Sequence, residues 1–171
     1  MNDQVLKLHE RLKFDLAAGQ VVDGPRRYLI MRPDVLMGAF DGLEEPTRSQ
    51  ALQSLGRSVA RFGSDSVRAY LREVGPQALL QAMVEGSASL GWGRWTFGED
   101  EAGCWLEVTN SPFAAGTRYY EGRSCHAIAG MFQAVVEALL DAPAEVVEVR
   151  CACADHQPGA SCLFRAHKAQ H

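Results

Sequence analysis

The sequence predicts an α+β fold, with helices filling the first half of the chain and antiparallel strands most of the second. Two patterns carry that expectation: apolar residues recur at helical spacing up to about Ser87, and from Trp92 onward large apolar residues alternate with small or polar ones. The chain has 171 residues, 47% of them hydrophobic, which is enough for one domain spanning residues 1–171 around a core of its own.

Residues 4–18, within an N-terminal stretch 1–22, place Val5, Leu8, Leu12 and Leu16 on one helical stripe ended by Gly19. So narrow a stripe suits a dimer contact as well as packing on its own domain. Tyr28-Leu29-Ile30-Met31 is expected as a short strand, and Pro33, early in the next segment, starts a helix that ends near Gly42. Pro46-Thr47 opens a longer helix through about Glu73, turning Leu52, Leu55, Val59, Phe62, Val67 and Leu71 toward a core. Gly56 and Gly63 inside it permit close packing or a break. Gly75-Pro76 marks the next boundary, and Gln77 to about Ser87 forms another helix with Leu79, Leu80 and Met83 inward.

Trp92 to Phe97 and Cys104 to Thr109 alternate as two strands, with residues 98–103 as the turn of a hairpin. Ser111-Pro112 closes the second strand, and a loop follows through Gly122. Ser124 is placed to cap a helix from Cys125 to about Leu140, which Pro143 ends. Residues 144–153 and 161–165 are expected as the final two strands, joined by a turn over residues 155–159.

The net charge of -4 and the absence of a Lys/Arg cluster supply no field for nucleic acid, so direct DNA binding is not expected. No stretch is apolar over the length of a membrane span, and the N-terminus lacks the basic and apolar blocks of a signal peptide. Five cysteines without an export signal are expected as reduced thiols in a cytoplasmic protein.

Three of those thiols and one carboxylate suggest a metal site. Cys151 and Cys162 flank the last turn, and Cys125 stands at a helix start, where the dipole favours a thiolate. Glu148 precedes Cys151 by three residues, so a bulge or bend in the strand is needed to aim both at one ion. Thiolates with a carboxylate favour zinc, and four protein ligands make a structural site with no open position. Cysteine is also among the most buried residue types, so spacing alone equally allows plain core thiols. Cys153 and His156 are rival donors in the same hairpin.

Several blocks of the C-terminal part resemble a known family. Val74-Gly75-Pro76-Gln77, Cys104-Trp105-Leu106, Cys125 with Gly130 five residues later, Glu148-x-x-Cys151 and Cys162-x-Phe164 are together similar to the 4-vinyl reductase domain, over residues 74–165. Within that family they most resemble the sensory domains of phenol-responsive transcription activators. The resemblance implies a zinc ion held by Cys125, Glu148, Cys151 and Cys162, the last after a loop a few residues longer than in those sensors. It also implies a twisted antiparallel sheet packed with helices, similar to a Golgi-transport subunit and to ligand-binding domains of nitric-oxide signalling, in a homodimer.

For the ligand pocket the resemblance is partial. The sensors hold the phenol hydroxyl with a histidine and a tryptophan; Trp105 matches the tryptophan, but the histidine position falls on or near Leu79. A pocket lined by Leu79, Leu80, Met83, Trp92, Trp95, Phe97 and Trp105 is therefore expected to take an apolar or larger aromatic ligand rather than phenol. The sensors carry an ATPase and a DNA-binding segment, whereas this sequence runs only a few residues past Arg165. Output is then expected to pass through a separate signalling partner, a dimer rearrangement or ligand sequestration. Two other functions are compatible with the resemblance: a reductase or accessory role toward the vinyl group of a tetrapyrrole, and a protein-interaction module without ligand. Catalysis is not the expected reading, because no dinucleotide-binding glycine loop follows a strand and the metal shell would be full.

Overall fold

The computed structural model describes residues 8–117, 122–155 and 159–169. Its C-terminal half is built on a four-stranded antiparallel sheet of β4 (Arg94–Asp100), β5 (Gly103–Thr109), β6 (Ala144–Arg150) and β7 (Ser161–Lys168), in the order β4-β5-β7-β6. The alternation seen in the sequence sets its two faces. Leu106 and Val108 of β5 and Phe164 and Ala166 of β7 are buried on one face. They pack there against Ile128 and Phe132 of α5 (His126–Leu140). The other face is left partly exposed and carries Trp105, which lies directly opposite Gly98. A Cβ on Gly98 would come within 2.1 Å of the Trp105 ring, so only glycine lets that ring lie flat on the sheet.

The helical first half is organised by α3, Thr47–Ser89, whose two arms meet at Gly75 (φ +79°, ψ 174°), with Pro76 opening the second arm. Gly75 takes a backbone conformation that costs other residues steric strain, and Pro76 lacks the N–H that would carry the helix through. Leu52, Gly56 and Val67 of the first arm and Leu79 of the second are buried, whereas Phe62, expected inward, is 70% exposed. The first arm crosses α5 at backbone contact: a Cβ on Gly130 would sit 2.0 Å from the Gly56 carbonyl oxygen. Gly56 is thus a packing residue, and the helix runs through it unbroken. Before α3 comes α2, Pro33–Asp41, with Pro33 in its first turn as expected. No helix among the described residues is long and apolar enough to cross a membrane.

The N-terminal part differs most from expectation. Of the expected helix over residues 4–18, the described residues 8–18 hold one helical turn, α1 (Leu8–Arg11), while residues 4–7, Val5 among them, lie outside the described residues. An antiparallel meander of β1 (Lys13–Asp15), β2 (Gln20–Asp23) and β3 (Arg26–Tyr28) follows. The local reason is turn chemistry: Asp15 Oδ1 accepts from the Ala18 N–H at 2.9 Å, and Gly19 and Gly24 hold positive φ at the two reversals. Gly19 is therefore a hairpin residue and not a helix stop, and Leu16 is 89% exposed. The strand ends at Tyr28, so Leu29, Ile30 and Met31 lie outside any strand.

Two expected irregular or extended segments are helical instead. Pro112–Gly116 forms the short α4, capped by the Ser111 hydroxyl, where a loop was expected. Ala152–Asp155 forms the one-turn α6 where the strand was expected to run to Cys153.

Candidate metal centre and adjoining cavity

Three elements bring the four expected donors together. Cys125 is itself the N-cap of α5; Ser124, expected as the cap, instead places its hydroxyl 3.5 Å from the Cys151 sulfur and 3.6 Å from that of Cys153. Glu148 is on β6, and Cys162 is on β7, paired with Val108 of β5. The register of β6 against β7 slips by one residue between Glu148 and Arg150. This bulge leaves Val149 exposed and turns both Glu148 and Cys151 into the interior, as the three-residue spacing requires.

All four donors are buried, and their ligand atoms lie within 4.8 Å of one another. The Cys125 sulfur is 3.4 Å from that of Cys162 and 3.9 Å from that of Cys151. A tetrahedral zinc with Zn–S bonds of about 2.3 Å holds its sulfurs about 3.8 Å apart, so the thiols already stand near coordination spacing. Glu148 Oε2 accepts from the Cys125 N–H at 3.2 Å, while Oε1 is buried with no partner among the described residues. The Ala152 N–H points at the Cys162 sulfur from 3.3 Å.

The electrostatics show what such a cluster needs. Burial, and then the adjoining Cys151, push the Glu148 carboxyl up to about 9. The Cys125 thiol is driven well above its ordinary range by its bonds to Cys151 and Cys162 and then by burial. Cys151 goes the other way, because the thiols of Cys125, Cys153 and Cys162 point at it and favour its thiolate. One divalent cation would relieve the crowding of all four acceptors and orient the orphaned Glu148 oxygen. The residues present therefore fit a metal ion, with every donor supplied by protein.

Of the rival donors, Cys153 stands outside the set of four: its sulfur is 3.1 Å from that of Cys151 but is spent on the Gly122 carbonyl at 2.7 Å. His156 lies outside the described residues. All five cysteines are free thiols.

The expected pocket residues divide. Met83, Trp92 and Trp95 line a cleft of about 650 Å³ between the two arms of α3, α5 and the N-terminal meander. Leu79 is fully buried elsewhere, against Val67, Ala134 and Val135, with Leu80 packed on that same cluster. Phe97 packs on Trp95 and Phe132 within the main core. Trp105 is on the opposite side of the sheet, since it alternates with the inward Leu106. None of Leu79, Leu80, Phe97 and Trp105 lines this cleft, and Trp105 lies across the sheet from it. Sequence reasoning missed Met131, which lies six residues into the helix that Cys125 caps, and the N-terminal residues Arg11, Asp23 and Tyr28. Met131 was legible as a member of the α5 stripe; the N-terminal residues were hidden by the helix expected there.

The family model of the 4-vinyl reductase domain matches residues 105–168, a span that holds all four donors. The match begins at Trp105, later than the residue 74 at which the resemblance began. Comparison with curated proteins gives no match. Among solved structures, the fold is similar to the phenol-responsive sensory domain of the transcription activator PoxR, crystallised with phenol. That likeness has a TM-score of 0.72 at 15% identity and covers 94% of this chain and 86% of that one. A vinyl-4-reductase family protein from Methanocaldococcus jannaschii is similar with a TM-score of 0.52 at 12% identity, over 84% of this chain and 98% of that one. Residues 105–168 thus match the model of the 4-vinyl reductase domain, within a fold similar to that of the PoxR sensory domain.

Proposed function

We propose that this protein is a zinc-stabilised, sensor-type domain that takes a hydrophobic or aromatic small molecule, larger than phenol, into the cleft beside α5. The observation that carries it is the cleft itself. Its volume of about 650 Å³ is far larger than the roughly 150 Å³ cavity that suffices for benzene, and Met83, Met131, Trp92 and Trp95 give it apolar, adaptable walls. The sensory domain of similar fold binds phenol, and the role of ligand receptor comes to this chain by that likeness. Zinc would act as a cross-link between the start of α5 and the β6–β7 hairpin, with Cys125, Glu148, Cys151 and Cys162 filling its shell.

From Cys125 to Met131 is about 9 Å along the helix axis, so a start of α5 held in place also holds one wall of the cleft. Ligand between the arms of α3 would bias the angle at Gly75, and that bias is passed on through a homodimer or a separate signalling protein. The exposed run Leu29-Ile30-Met31 supports such a contact, because consecutive apolar side chains in water favour a partner.

The test is a thermal-shift and native-mass screen of zinc-loaded protein against phenol, polycyclic aromatics and tetrapyrroles. Saturable binding of polycyclic aromatics, with phenol weak or absent, supports the proposal. Binding confined to tetrapyrroles favours an accessory role in their metabolism, and no binding of any class sinks the receptor reading. Elemental analysis showing less than one metal per chain after zinc-supplemented purification would sink the metal assignment.

A further inference from the structure

One corner of the cleft is chemically unlike the rest. Its body is apolar, but Arg11 of α1, Asp23 of β2 and Tyr70 of α3 also line it and are bonded to one another. Arg11 Nη2 donates to Asp23 Oδ2 at 3.0 Å, Nη1 donates to the Tyr70 hydroxyl, and the guanidinium lies 5.8 Å from the Tyr70 ring centroid. None of the three residues falls within the span matched by the family model.

These bonds use the corner's capacity only in part. The Tyr70 oxygen accepts from Arg11, so its own proton has no acceptor among the described residues. Asp23 spends Oδ2 on Arg11, and Oδ1 has no donor among the described residues. The Arg11–Asp23 pair cancels its own charge, and the other two charged residues of the lining, Arg26 and Glu85, are of opposite sign. Besides the Arg11 Nε–H, which is buried without a partner among the described residues, what remains is one spare O–H donor and one spare carboxylate oxygen beside an apolar cleft. A hydroxyl group is the small neutral group that accepts from one and donates to the other.

We propose that the cleft selects a neutral, largely apolar molecule bearing a hydroxyl group, and that Tyr70 and Asp23 hold that hydroxyl. This deepens the receptor reading and rests on it. An apolar ligand of the same shape would strip water from both groups and return nothing, and sites built to bond a hydroxyl reject the analogue that lacks it.

The experiment is a fluorescence titration of zinc-loaded protein with two matched pairs, pyrene with 1-hydroxypyrene and naphthalene with 2-naphthol. The native protein should bind the hydroxylated member of at least one pair about tenfold more tightly or better. Tyr70→Phe should reduce that preference to below about threefold, with the hydrocarbon bound as tightly as in the native protein or more tightly, because no hydroxyl is left to strip of water; full metal content in the variant reports a folded domain. Asp23→Asn should do the same: Arg11 would take the amide oxygen, leaving an N–H₂ donor where an acceptor stood. Equal affinities within both pairs, or a preference that survives both substitutions, overturns the assignment of the hydroxyl to this corner. If neither hydrocarbon nor alcohol binds at all, the receptor reading fails and this proposal with it.

Discussion

The candidate metal centre and the cleft lie along one helix, yet they are built in opposite ways. The centre draws its donors from 38 residues of chain, the start of α5 and the β6–β7 hairpin, and buries all four. The cleft is walled by the N-terminal meander, both arms of α3, β4 and α5, and it mixes buried with exposed side chains. The first would be held, with a metal bound, by directed bonds to one point, the second by the packing of elements that meet only when the whole chain has folded. Disrupting the centre should therefore cost stability first and binding second. Altering the cleft should change binding with little change in stability.

The largest effect is expected at the thiols. Cys151→Ser or Cys162→Ser should abolish stoichiometric metal and lower Tm by more than about 10 °C, because a structural zinc site contributes folding free energy directly. Unchanged metal content and Tm in both variants would show that the thiols are plain core. Next is the helix crossing: Gly130→Ala forces a methyl against the Gly56 carbonyl and should lower Tm by about 3–10 °C with metal still bound, as measured by scanning calorimetry and elemental analysis.

The centre should also show an inverted pH response when metal is removed. Glu148, buried beside Cys151, titrates near 9 rather than at its ordinary 4.5, so metal-free folded protein binds a proton there that the unfolded chain releases. That contribution is fully present below about pH 4.5 and is lost as pH rises through about 9, so chelator-treated protein should weaken over that range. Metal binding releases protons, so the metal-loaded form should gain stability relative to the metal-free form as pH rises. Parallel Tm-versus-pH curves with and without chelator would break this account.

The smallest stability changes, and the sharpest contrast, are expected at two aromatic-sized positions. Met83→Trp should fill the cleft and weaken pyrene binding at least tenfold with Tm within about 4 °C. Trp105→Ala should leave pyrene affinity within about twofold, since its ring lies on the far face of the sheet against Gly98. The reverse pattern would move the binding site to the other side of the sheet.

The same contrast explains what could be read from the residues alone. The convergence of the four donor side chains was legible because donor type and spacing are local: Glu148 and Cys151 three apart demanded a bulge if both were to face one point, and the bulge is there. The α+β class, the α3 boundary at Gly75-Pro76 and the β4–β5 hairpin were legible because period and punctuation are also local. That Trp105 and Leu79 stand outside the cleft was not legible, because which face a residue takes depends on strand parity and on what packs across from it. The N-terminal helix failed for a related reason. Leu8, Leu12 and Leu16 fit a helical period, but Asp15 and Gly19 close a hairpin, and β-pairing of Phe14 with Val21 wins.

The bulge at Val149 has a consequence for kinship as well as for chemistry. A strand counts in twos, and one extra residue shifts its phase, so everything beyond that point on β6 changes sides: Arg150 turns outward to meet Glu107, and Cys151 turns inward. A single deletion that restored a regular strand would preserve both facings while erasing the Glu-x-x-Cys spacing. The interval between these two donors is thus a barcode of the bulged backbone, and chains that share the metal chemistry without the bulge would carry a different one.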